Sequence, residues 1–237
     1  MIDPGRPATW RVEHHLGSAA AFHDRDLPDP VRRVVWWFEV TRPAVALGST
    51  QSLDVVDHDA AAAAGVEVLR RRSGGGAVWL APGGVTWVDV VVPAADPRWV
   101  DDVGRAAIWL GQTWVAALAA LGIEGASLHD GPIVASAHSA LVCFAGLAPG
   151  EVTVGGRKTV GISQRRTRGG ARFQCAVLHH WDPRPLVDVL AVPDNGLGPG
   201  GFRAHLSADL ADLATGIGPV DSSTLVDALL TELNANP

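Results

Sequence analysis

Residues 70–78 read Arg70-Arg71-Arg72-Ser73-Gly74-Gly75-Gly76-Ala77-Val78. Three cations run into three glycines, and an apolar segment then resumes. Upstream, Gly65 to Leu69 predicts a short strand. Downstream, Val85 to Val92 is rich in Val and Trp and predicts another. The glycines are therefore expected in a loop between strands. Glycine lets backbone N–H groups approach an anion closely and takes positive φ without steric cost. Arginine adds fixed charge and bidentate geometry for phosphate or carboxylate. Taken alone, the stretch reads equally well as a solvated charge run on a flexible hairpin. It is not a P-loop, because no Lys-Ser/Thr follows at the required spacing.

A second stretch narrows the choice: Gly150-Glu151-Val152-Thr153-Val154-Gly155-Gly156-Arg157-Lys158-Thr159-Val160-Gly161-Ile162-Ser163-Gln164-Arg165-Arg166. Alternation up to Val154 predicts a strand, and Gly155-Gly156 a tight turn. Lys158 then lies just past the turn on the returning strand, with Gly161 permitting close approach. Most lysines are solvated surface groups. This one is among very few in the chain and sits between glycines.

Together the two stretches resemble the lipoate-protein ligase A family of the biotin/lipoate ligase superfamily. The family pattern Arg-Arg-x-Ser-Gly-Gly-Gly-Ala-Val falls on the run ending at Val78. Gly-x-Lys-x-x-Gly-x-x-Gln falls on Gly156 to Gln164. Gly48 and Gln51 resemble an upstream element, so the likeness spans residues 36–178. It implies an α+β domain of the class II synthetase and biotin-ligase type, a mostly antiparallel sheet packed with helices. It also implies that Lys158 contacts the acyl carbonyl and phosphate of an acyl-adenylate. Arg71, Ser73, Gly74, Gly75, Gly76, Ala77, Gly156 and Gly161 would then bind substrate or nucleotide. Arg70 and Arg72 are weaker candidates, since alternate residues point outward.

Cys143 admits two readings. A lone cysteine with apolar neighbours is ordinarily a small buried hydrophobe. Yet it precedes Lys158 by fifteen positions, which looks like the octanoyltransferases of the same superfamily, where a cysteine is the nucleophile. One departure affects both groups. The family places a His shortly after Ala-Val, and here Leu80 stands in its place. Trp79, Trp87 and Trp99 are expected to serve core packing. His179-His180 is not expected to hold a metal, because adjacent strand residues face opposite ways.

The chain has 237 residues, a formal net charge of −6 and two cysteines, Cys143 and Cys175. The length fits one domain, with a core at about 33–192 and a short helical extension at about 203–234. The acidic balance argues against nucleic acid. The cysteine count fits a reducing compartment. No apolar run reaches membrane-spanning length and no signal peptide is visible, so a cytoplasmic location is expected.

In order, the pattern predicts a helix from Ser18 to Asp26 and strands from Arg33 to Val40 and Ala44 to Leu47. A helix from Asp54 to Ala64 follows, closed by Gly65. The longest helix is expected from Val100 to Leu121, with Val103, Ala107, Leu110, Trp114, Leu118 and Leu121 on its buried face. Ser127 to Ser139 reads as a loop, Ala171 to Leu178 as a strand and Pro183 to Val192 as a short helix. A turn is expected at Asp194 to Gly201, and helices near Ser207 to Leu213 and Ser222 to Leu233.

Three functions are open at this level. The first is a ligase that uses ATP and Mg2+ to attach lipoate or octanoate to a lysine. The second is an octanoyltransferase acting through Cys143 on octanoyl-acyl carrier protein without a cofactor. The third is a non-catalytic member that binds an acyl group or a lipoyl domain. The triple glycine puts the ligase first. Either enzyme implies as acceptor a lipoyl domain of a 2-oxoacid dehydrogenase or the glycine cleavage H protein. A separate accessory chain is compatible with the chain's length.

Overall fold

The computed structural model describes residues 9–193 and 198–235. In chain order its elements are β1 (Val12–Gly17), α1 (Ala19–Asp24), β2 (Val34–Val40), β3 (Ala44–Leu47), α2 (His58–Ala63), β4 (Glu67–Arg70), β5 (Val78–Leu80) and β6 (Val85–Pro93). Then come α3 (Ile108–Ala120), β7 (Ala126–Leu128), β8 (Val152–Val154), β9 (Arg157–Arg166), β10 (Gly170–Leu178), α4 (Arg184–Asp188), α5 (Gly198–Ala211) and α6 (Ser222–Ala235). Single 3-10 turns lie at Leu53–Val55 and Cys143–Ala145.

Seven strands form one sheet in the order β1-β2-β6-β10-β9-β8-β7. Among the described residues its β1–β2 pair alone is parallel. The remaining three form a small sheet, β4-β3-β5, in which β3 runs parallel to β4. The architecture is the expected α+β class. Strands β2 and β6 are almost continuously apolar because both faces of the large sheet are covered. On one face, Leu110, Trp114 and Leu118 of α3 and Leu225, Leu229 and Leu233 of α6 pack against Val88, Val90, Phe173 and Val177. Each such buried side chain contributes about 1.5–3 kcal/mol. On the other face, Phe22 of α1 and Ala46, Val78 and Leu80 of the small sheet meet Trp36, Phe38 and Trp87. The small sheet is backed in turn by α4 and α5 through Leu186, Leu206 and Leu210, with Leu190 just past α4. The space between the two sheets is where the candidate site lies.

Several local expectations hold. Ser18 caps α1 through its hydroxyl, and Gly65 follows α2 with φ +66. Gly155 and Gly156, with φ of 57 and 79, make the tight turn between β8 and β9.

Others are corrected. The helix expected from Val100 begins only at Ile108. The carbonyls that would start it are taken by β9: Arg166 donates to those of Val100 and Asp101, and Gln164 to that of Val103. Val103, expected in the core, is consequently 56% exposed. The Asp54 to Ala64 segment splits into a 3-10 turn and α2, because Asp57 caps a fresh start by accepting from Ala60 N at 2.9 Å. In the expected turn at Asp194 to Gly201, residues 194–197 lie outside the described residues. Residues 198–201 open α5, with Pro199 in its first turn. The patterning also missed β1, β5 and β7. Strands β5 and β7 have only three residues each, and β1 carries Glu13, His14 and His15. Strand β1 and α1 therefore join the core upstream of residue 33.

Candidate active site

Arg71 leaves the end of β4 with its backbone N–H bonded to Leu47 O at 2.8 Å. Its neighbours Arg70 and Arg72 are exposed, and Arg72 faces Asp24 and Asp26. The Arg71 side chain turns inward and is only 5% exposed. The glycine loop folds round it. Nη2 donates to Gly76 O at 3.0 Å, and Nη1 lies 3.3 Å from Ser163 Oγ and 3.4 Å from Ser73 Oγ. Nη2 is also 3.6 Å from Cys143 Sγ. Arg71 Nε is buried without a partner.

The loop is built to bring Cys143 here. Gly75 has φ +98, and a Cβ on it would stand 2.8 Å from Arg71 Nη2. A Cβ on Gly76 would lie 2.7–2.8 Å from backbone atoms of Val142 and Cys143. That close passage lets Ala77 N donate to Leu141 O at 2.8 Å and Cys143 N donate to Ala77 O at 3.0 Å. Gln51 fastens the same segment. Its Oε1 accepts from Gly48 N, and its Nε2 donates to Ala140 O and Leu141 O.

Lys158 approaches from behind. It is the sequence's only lysine and is 4% exposed. Its ammonium pairs with Glu151 Oε2 at 2.7 Å and donates to Cys143 O at 3.0 Å and Gly146 O at 2.9 Å. All three of its N–H groups are thereby occupied. Glu151 is equally well satisfied, accepting from Ala148 N at 2.7 Å and Ile162 N at 3.1 Å.

In front of Cys143 opens a small cavity between β9–β10 and the small sheet. Arg71, Cys143, Gly161 and Ser163 line its polar side, and Val78, Leu80, Trp87 and Phe144 its apolar side. Leu80, where the family has a His, is thus part of the apolar wall. Trp87 serves core and cavity together, its ring tilted against that of His23 with centroids 4.5 Å apart.

Sequence reasoning missed His23 and Gln174, which also line the cavity, and Asp89 and Arg172 behind them. Asp89 is fully buried and paired with Arg172. Burial pushes its carboxyl up, against the opposing pull of Arg172, Trp87 and Gln174. Arg172 also donates to Phe22 O and Arg25 O at 2.7 Å each, which docks α1 on the sheet. Gln174 joins Ser73 to His23, and the His23 pKa is pushed down to about 3 by burial, then by Arg172 and Arg71. A buried charge in the Val-rich pattern of β6 was the one available signal for Asp89.

Of the residues expected at the site, Arg71, Cys143 and Gly161 line the cavity, and Gly75 touches Arg71 and Cys143. Ser73 supports Arg71, and Ala77 holds the cysteine segment. Lys158 reaches the cysteine from its carbonyl side. Gly74 is exposed, and Gly156 lies in the exposed hairpin turn. His179 and His180 diverge: His179 points to Thr86 Oγ1 at 2.7 Å, and His180 is exposed.

Fold and motifs together place the protein among the enzymes that handle lipoyl and octanoyl groups. The chain belongs to the lipoyl protein ligase A/B catalytic domain family, whose model matches residues 18–233. It is 30% identical over 202 residues to octanoyltransferase LipM of Kyrpidia tusciae, across 79% of this chain and 72% of that protein. Among solved structures it resembles a bipartite lipoate protein ligase, studied with its E2 lipoyl domain, from Thermoplasma acidophilum. The TM-score is 0.69 at 19% identity, covering 97% of this chain and 83% of that one. A lipoate-protein ligase A bound with ATP gives a TM-score of 0.64 at 18% identity, covering 97% and 85%. These structural likenesses establish the fold. Among the described residues, no helix is long and apolar enough to cross a membrane.

Proposed function

We propose that the protein is an octanoyltransferase that uses Cys143 as nucleophile. The observation that carries this reading is the orientation of Cys143. Its thiol opens onto the cavity beside Arg71, while its carbonyl is gripped from behind by Lys158. In the first step Cys143 Sγ attacks the thioester carbonyl of octanoyl-acyl carrier protein. The bond to the carrier sulfur breaks, and the cysteine proton ends on that sulfur. In the second step the ε-amine of a lipoyl-domain lysine attacks the acyl-enzyme. An amide forms, the Cys143 thioester breaks, and the amine's proton returns to Cys143. Arg71 is placed to stabilise negative charge on the carbonyl oxygen as each tetrahedral intermediate forms. Lys158 holds the segment that carries the thiol.

The ligase reading, placed first by the triple glycine, loses that support. The third glycine has a packing reason, since a Cβ at Gly76 would strike the cysteine segment itself. Lys158, which a nucleotide phosphate would meet, is already held by Glu151. The similarity to LipM points the same way. Under this reading the acceptor is a lipoyl domain of a 2-oxoacid dehydrogenase or the glycine cleavage H protein. The setting is cytoplasmic, no nucleotide is consumed, and the chain works as one catalytic domain.

The test is intact-mass analysis of an apo lipoyl domain incubated with the protein in two arms. One supplies octanoyl-acyl carrier protein without ATP, the other lipoate, ATP and Mg2+. Octanoylation in the first arm alone is expected. Modification confined to the second arm would reject the transferase.

A further inference from the structure

His23 lines the cavity, and only one of its two ring nitrogens has a hydrogen-bond partner among the described residues. The residue is 7% exposed and lines the cavity from α1. Its Nδ1 lies 3.1 Å from Gln174 Nε2. The orientation of that amide is fixed twice over. Gln174 Oε1 accepts from Ser73 Oγ at 3.1 Å, and the side chain also bonds the Asp89 carboxylate, which accepts. Gln174 therefore turns its N–H groups toward Asp89 and His23, and His23 Nδ1 is the acceptor. The ring, kept neutral by burial and by Arg172 and Arg71, must carry its proton on Nε2. That nitrogen has no acceptor among the described residues, yet it is not sealed inside protein. An N–H in an otherwise apolar wall is what a site uses to read an acceptor on its ligand. A plain hydrocarbon pressed against it would strip away water and return nothing, weakening binding by about tenfold to a hundredfold.

We propose that His23 is a specificity-determining residue, donating from Nε2 to a neutral hydrogen-bond acceptor carried by the acyl group. This rests on the cavity being the acyl site. Two positions supply such an acceptor: the carbonyl oxygen next to the sulfur, common to every acyl donor, or an oxygen substituent along the chain. The Ser73-Gln174-His23 linkage ties this donor to the loop that holds Arg71, so the same network orients the cavity's polar side and its reader.

The experiment measures binding without turnover. Amide analogues of octanoyl-pantetheine and hydroxyoctanoyl-pantetheine, which cannot release their acyl group, are titrated by calorimetry into wild type, His23→Phe and His23→Gln. If the carbonyl is read, His23→Phe weakens both analogues about tenfold or more. If the chain oxygen is read, wild type prefers the hydroxylated analogue, and only that preference collapses in His23→Phe. In either case His23→Gln, which keeps an N–H donor, regains part of the loss. Should His23→Phe fail to fold, histidine-selective nitrogen NMR of wild type reads the Nε2–H resonance directly, and it must shift when an analogue binds. Unchanged affinities in folded His23→Phe, an unmoved resonance, or no binding of either analogue to wild type would overturn the proposal. Normal binding without any acyl-enzyme would reject the role of Cys143 while leaving that of His23 intact.

Discussion

Two cations flank Cys143, and they are held in opposite ways. Lys158 is enclosed, with its three N–H groups spent on one carboxylate and two carbonyls at 2.7–3.0 Å. Arg71 stands at the cavity wall with Nε unpaired, and its contacts to Ser73, Ser163 and Cys143 are long, at 3.3–3.6 Å. A saturated ammonium has little left to offer a substrate and much to lose if moved. A guanidinium with a spare donor and loose contacts can tighten when charge develops beside it. Under the proposed transfer reaction, architecture falls to Lys158 and chemistry to Arg71.

The largest effect that could break this contrast comes from Lys158→Met. It would strand the Glu151 carboxylate in a site where both partners are 4% exposed. Urea unfolding should show a loss of about 3–5 kcal/mol. Transfer should fall by about 100-fold as the cysteine segment loosens and the thiol is misplaced. Adding Glu151→Gln should restore part of the stability and little of the rate. If Lys158→Met is as stable as wild type, the enclosed cation is not structural. Arg71→Met should separate rate from stability. Transfer should drop about 100-fold, while stability falls by only about 1–2 kcal/mol for the hydrogen bonds lost. A variant that unfolds as readily as Lys158→Met would erase the distinction.

A smaller effect sharpens it from the cavity side. His23 has its folded pKa pushed down to about 3 from the ordinary 6.5. The unfolded chain therefore binds a proton over that interval and the folded protein does not. The stability His23 contributes is fully present above pH 6.5 and is lost as the pH falls toward 3. Between pH 6.5 and 5 this amounts to about 2 kcal/mol at most. Urea unfolding of wild type and His23→Phe across that window should show a shallower acid slope in the variant. Parallel slopes would mean that the ring charges freely in the folded state.

The parts of the site legible in the sequence are those encoded by local steric demand. Gly75, Gly76 and the Gly155-Gly156 turn announce themselves because few residues other than glycine tolerate such backbone or such proximity. Arg71 and Lys158 were visible because each is a cation set among glycines. The remaining contacts join residues far apart in the chain. Arg71 meets Ser163 across 92 positions, Ser73 meets Gln174 across 101, and His23 meets Gln174 across 151. Periodicity and turn chemistry carry no information about such pairs. The start of α3 was misread for the same reason, since the groups that capture its leading carbonyls belong to β9. Nor does local pattern tell how Cys143 is turned, with its carbonyl toward Lys158 and its thiol toward the cavity.

The most direct test is the intact mass of the protein after brief exposure to octanoyl-acyl carrier protein, with neither ATP nor acceptor present. A Cys143 nucleophile predicts the gain of one octanoyl group, released by neutral hydroxylamine as a thioester must be and absent from Cys143→Ser. That variant should retain its fold and transfer at no more than about a thousandth of the wild-type rate, because a serine hydroxyl is hardly ionised near neutral pH. An unmodified wild-type protein that nevertheless acylates a lipoyl domain in the presence of ATP, joined by an active Cys143→Ser, would contradict the assignment.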